Sequence, residues 1–168
     1  VFTFLRDPVS LAFSVFDHIK RNPHSLHDLL VSEAPSFADF CRHPQFSVMI
    51  SNPQTRIFGV DVDIVSLRRD VREGRLDVRV ARQALNRAIH EEPDAGMQSR
   101  ARARLRDLEF VGVTERLGDG MRPLFAELGV ALPAEIPRYN VASRRERVER
   151  SRLTGEELSL VSRLNAAD

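Results

Sequence analysis

The chain opens on Val1–Leu5 (VFTFL), a β-branched and aromatic run that reads as a strand buried on both faces. Asp7 and Pro8 follow as helix N-cap and first helical residue. Val9, Ala12, Phe13, Phe16 and Ile19 then recur at helical spacing, which predicts a helix to about Arg21, ended by Asn22-Pro23. Between His24 and Arg42 the pattern predicts two short helices split around Ala34-Pro35. Residues 43–60 read as irregular, with a turn at Ser51-Asn52-Pro53. From Asp61 to Glu92 the pattern is helical again, and Leu76, Val80, Ala84, Leu85, Ala88 and Ile89 share one face. Glu92-Pro93-Asp94-Ala95-Gly96 breaks it.

Met97–Leu105 is a short arginine-rich helix, and Phe110–Val113 is a second buried strand. Asp119 is placed to cap a helix that closes at Gly129, with Pro123 in its first turn. Pro133 and Pro137 punctuate a loop, and a charged stretch runs over Arg144–Arg152. The last helix carries Thr154 and Glu157 in the spacing of a capping box. Two short strands joined by a long helical crossover indicate a helix-rich α/β protein with a parallel sheet, rather than a helical bundle. The 168 residues fit a single domain. A domain rarely begins in mid-strand, so the expectation is a fragment.

Composition narrows the field. A net charge of +1 is not that of a polycation seeking nucleic acid. The arginines of residues 68–106 are interspersed with Asp70, Glu73, Asp77, Glu91 and Glu92, and with no tryptophan and one tyrosine there is little to stack on bases; a solvated helix face is expected, and no nucleic-acid partner. Cys41 is alone and no Asn lies in an N-x-S/T pattern, which points to a reducing, cytoplasmic setting. No apolar run reaches membrane-spanning length. His24, His27, Cys41 and His43 fit no standard metal spacing, so no metal is expected, and no G-x-S-x-G elbow marks a nucleophile.

The chemistry lies at the seam between first strand and first helix. In open α/β folds, ligands sit beyond the carboxyl ends of the strands, where helix N-termini present free N–H groups. Arg6 stands at that edge, and its fork can take two phosphate oxygens. Helical side chains lean toward the N-terminus, so Ser14 can point back at the same anion. The residues alone favour the plainer arrangement, in which Arg6 pairs with a carboxylate and Ser14 faces a neighbouring helix.

Phe4-Leu-Arg-Asp-Pro-Val9 followed by Ser14 resembles the 3′-phosphate-binding motif of the PAPS-dependent sulfotransferases (PAPS is 3′-phosphoadenosine 5′-phosphosulfate), in the carbohydrate and bacterial branch. In the same order, Asn52-Pro-Gln-Thr-Arg56 resembles that family's N-x-Q-T-R segment, and Phe110-Val-Gly-Val-Thr-Glu-Arg116 its F-V-G-x-T-E-R passage. Asn140-Val-Ala-Ser143 and Leu164-Asn-Ala-Ala-Asp168 resemble its closing pieces. The chain departs from the family at Ser10-Leu11, often Glu-Arg, and at Val15-Phe16, often His-Tyr.

The resemblance implies a P-loop-kinase-like fold with an incomplete parallel sheet. It also implies a chain truncated at both ends, and transfer of a sulfuryl group from PAPS, as co-substrate, to a hydroxyl or amine acceptor such as a carbohydrate. Arg6 and Ser14 would hold the 3′-phosphate. Ser143 and Arg144 would lie near the nucleotide, or else in a charged surface loop. Arg56 would touch substrate or sulfate, or else form a structural ion pair. No stretch resembles the family's 5′-phosphosulfate loop. That element, and the general base, are expected upstream of Val1, so no catalytic residue is assigned and the isolated chain is not expected to turn over. The alternative is a non-catalytic nucleotide-binding, anion-binding or interaction domain that keeps the fold.

Overall fold

A computed structural model describes residues 2–23, 25–133 and 153–168. The chain is helix-rich with a two-stranded parallel sheet, and so of the α/β class. It divides into two compact units: 1–51 with 108–165, and 52–107 with 166–168.

In the first unit, β1 (Phe2–Leu5) pairs in parallel with β2 (Phe110–Val113), Phe2 opposite Phe110 and Leu5 opposite Val113. The strands are less buried than their composition implies. Phe2 is 53% exposed and Val113 46%, because a pair of strands leaves each with only one neighbour in the sheet. Gly112 is buried, since its Cα faces the Phe4 and Phe110 rings with no room for a Cβ. Helix α1 (Pro8–Arg21) forms as its pattern predicts. Asp7 caps it by accepting from the Ser10 amide, and Val9, Ala12, Phe16 and Ile19 are its buried stripe.

That stripe meets α2 (Ser25–Glu33) and α3 (Phe37–Arg42) in an aromatic core. Phe16 packs edge-on to Phe37 and Phe40, with ring centres 5.5 and 5.3 Å apart, and Phe40 stacks on Phe46 at 4.9 Å. Phe46 lies on α4 (Pro44–Ile50), inside the stretch expected to be irregular. Pro44 starts this helix instead of breaking structure, because a missing N–H is harmless at the first helical position. At the far end of the chain, α10 (Gly155–Leu164) carries the expected capping box on Thr154 and Glu157, and buries Val161 in the same core.

After β2, a 3-10 turn (Thr114–Arg116) leads into α9 (Leu117–Glu127). The helix therefore begins before Asp119, which falls in its first turn instead of capping it, and Pro123 lies inside it. Gly129 closes it as expected, in the left-handed conformation with φ +65°. The 133–137 loop beyond Pro133, and the Arg144–Arg152 stretch up to Arg152, lie outside the described residues.

The second unit is helical. It comprises α5 (Pro53–Gly59), α6 (Ile64–Arg72), α7 (Val78–His90) and α8 (Ala95–Arg106). Helix α5 also lies in the stretch read as irregular, and again a proline begins it. The helical run from Asp61 is two helices, not one: Gly74 adopts φ +73° and Asp77 caps α7 anew. Val80 and Ala84, expected on the packed face of α7, are exposed, and Ala81 is the buried residue there. Gly59 lets α5 and α8 approach closely, since a Cβ there would lie 2.3 Å from the Met97 carbonyl oxygen.

Candidate functional site

Parallel pairing brings the ends of β1 and β2 to one edge of the sheet. The segments that leave there are Arg6-Asp7-Pro8 and Thr114-Glu115-Arg116. The Thr114 hydroxyl donates to the Leu5 carbonyl at 2.9 Å, which ties the two exits together. The Asp7 amide donates to Glu115 Oε1 at 3.2 Å, and Arg6 Nε lies 3.8 Å from the same oxygen. The side chains of Arg6 and Glu115 are 37% and 34% exposed, so the junction opens to solvent.

Asp7, Ser10 and Ser14 lie on one face of α1 by their spacing of three and four residues. The lower two are joined, since the Ser10 hydroxyl and amide both donate to Asp7 Oδ1, at 3.0 and 2.9 Å. Ser14 follows one turn further, half-buried, and its hydroxyl makes no hydrogen bond among the described residues. No bond links Arg6 to Ser14: Arg6 precedes the cap of α1, and Ser14 lies two turns into the helix. Neither side chain is sealed inside the core. A guanidinium and a hydroxyl are donors that suit a phosphate monoester, whereas the Asp7 and Ser10 amides at the helix start are already engaged by Glu115 and Asp7. Ser143 and Arg144 lie outside the described residues.

Arg56 is placed differently. It is 1% exposed in the second unit, and its guanidinium meets Glu92 Oε1 at 3.1 Å. Around it the two other motif pieces meet within this unit. Asp168 accepts from the Gln54 and Thr55 amides at 3.2 and 2.7 Å, and so caps α5 from more than a hundred residues away. Asn52, at φ 45°, accepts from the Ala167 amide at 2.8 Å, and the Thr55 hydroxyl donates to the Ala167 carbonyl at 2.8 Å. The other end of α5 is held by arginines. Arg100 donates to the Gly59 carbonyl at 2.8 Å, and Arg104 to the Phe58 and Val60 carbonyls at 3.0 and 2.6 Å. Part of the arginine-rich face of α8 is thereby used inside the unit.

Glu115 is the residue that reading motifs singly misses. It sits in the T-E-R passage, but its neighbours become visible only when β1 and β2 pair. Cys41 is buried in the aromatic core, which pushes its thiol up to about 12; Glu157 adds to the shift and Arg42 opposes it. Among the described residues, no group of three or more His, Cys, Asp or Glu side chains is placed to hold a metal ion. Among them, too, no helix is long and apolar enough to cross a membrane.

No family model, curated protein or solved structure matches the chain.

Proposed function

We propose that this chain carries the 3′-phosphate-binding half of a PAPS-dependent sulfotransferase site, in a P-loop-kinase-like fold. One observation carries the reading: Arg6 stands beyond the end of a parallel strand and at the start of α1, with Ser14 on the helix face that rises from the cap. The meeting of Asn52–Thr55 with Ala167–Asp168 adds support, since two of the segments that resemble the family form one bonded cluster.

In this reading the reaction is in-line transfer of a sulfuryl group from PAPS to a hydroxyl or amine acceptor, such as a carbohydrate. It parallels phosphoryl transfer, in which positioning and charge stabilisation supply most of the catalysis. Arg6 binds the 3′-phosphate through its fork, Ser14 donates a further hydrogen bond, and the positive end of α1 faces the anion. These groups orient the nucleotide and do no acid–base work. Arg56, held by Glu92 in the second unit, keeps that unit together.

The Arg6–Glu115 pair favours a second reading, a non-catalytic domain that retains the fold and uses Arg6 for structure. Calorimetry separates the two. Wild-type protein is titrated with adenosine 3′,5′-bisphosphate and with AMP, and the titrations are repeated on Arg6→Ala. The expected result is a preference for the bisphosphate that the variant loses. Equal weak binding of both nucleotides by the wild type would overturn the nucleotide reading.

A further inference from the structure

We infer that Glu115 is a built-in counter-anion of the junction: its carboxylate engages Arg6 and the Asp7 amide where a ligand phosphate would bind, and binding displaces it. The inference rests on the phosphate-binding reading above. It deepens that reading by naming a residue that sets how tightly the site takes an anion.

Three features carry it. A single oxygen, Glu115 Oε1, faces both the Asp7 amide at 3.2 Å and Arg6 Nε at 3.8 Å. The donors nearest to it leave little else at the helix start: Pro8 has no N–H, and the Ser10 amide is taken by Asp7. A negative charge at that end of α1 is favoured whatever its source. The 3.8 Å separation from Arg6 Nε is beyond hydrogen-bond length, and both side chains are about a third exposed, so the pair is weak. A phosphate monoester carries more negative charge than a carboxylate and can accept from both prongs of a guanidinium.

The exchange needs little movement. The backbone around Glu115 is held by β2 pairing and by the Thr114 hydroxyl on the Leu5 carbonyl, so only the Glu115 side chain has to turn outward.

The test uses the full chain and adenosine 3′,5′-bisphosphate. Glu115→Gln keeps the shape and removes the competing charge. It should bind about twofold tighter than wild type, the equilibrium factor of a weak exposed ion pair. Glu127→Gln removes the same charge from an exposed position on α9 and should bind like wild type. Glu115→Asp, a second variant should the first fold poorly, withdraws the carboxylate by one methylene and should also tighten binding. Binding detected in Glu115→Gln but too weak to detect in the wild type supports the inference equally. If the wild type binds and Glu115→Gln binds equally or more weakly, the inference falls and the phosphate-binding reading stands. If neither binds, both fall. If Glu127→Gln tightens as much as Glu115→Gln, the effect is one of net charge and the inference falls.

Discussion

Gly59→Ala should destabilise the second unit by ~2–4 kcal/mol. The added Cβ would lie 2.3 Å from the Met97 carbonyl oxygen and 2.5 Å from Met97 Cγ. Ordinary contact begins near 3.4 Å, so α5 and α8 must part by about 1 Å. The obstacle is backbone, which cannot rotate out of the way as a side-chain tip can. Overpacking of this kind costs ~1–3 kcal/mol. The separation also strains three hydrogen bonds that run from Arg100 and Arg104 of α8 to the Phe58, Gly59 and Val60 carbonyls. Hydrogen bonds from charged donors contribute ~1.5–3 kcal/mol each, so weakening even one adds to the loss. Against this, alanine gains up to ~1 kcal/mol over glycine in a helix.

The chain has no tryptophan, so urea unfolding is best followed by circular dichroism at the helical band, with hydrogen exchange reporting on α5 and α8. The midpoint should fall by ~1–2 M urea. Gly118→Ala in α9 is the contrast: nothing lies within 4 Å of its added Cβ, so it should be neutral or stabilise by up to ~1 kcal/mol. A Gly59→Ala midpoint equal to or above wild type would refute the claim that this glycine sets the spacing of α5 and α8.

Two other outcomes are expected. Thr154→Ala removes the hydroxyl of the capping box on α10 and should cost ~1 kcal/mol, seen as a lower melting temperature; an unchanged melt would mean that the box contributes nothing. The Cys41 thiol, held protonated up to about 12 by burial, should resist iodoacetamide at pH 9 in the folded protein and react promptly once unfolded. Because its folded pKa lies above the ordinary thiol value near 9.0, its contribution to stability is full below pH 9 and is lost as pH rises toward 12. Alkylation of native protein at the unfolded rate would contradict its burial.

Helix α1, its cap and its buried stripe were legible in the sequence, as were the Thr154–Glu157 box and the Gly129 stop, because each depends on residues within a turn or two of one another. The stretch from 43 to 60 was not. Pro44 and Pro53 look like breakers until Phe46 and Ile50 find the aromatic core and Asp168 caps α5 from the other end of the chain. The strands were legible as strands, but not their exposure, which follows from how many neighbours a sheet supplies.

At the candidate site, sequence alone placed Arg6 between strand and helix and Ser14 along the same helix. Only tertiary structure set Glu115 against Arg6 and the Asp7 amide, since parallel pairing joins residues more than a hundred positions apart. It likewise brought Arg56 to Glu92, which lies on another segment of its unit. Caps and periodicity are local and can be read along the chain; the partner of a charge depends on what folding brings beside it.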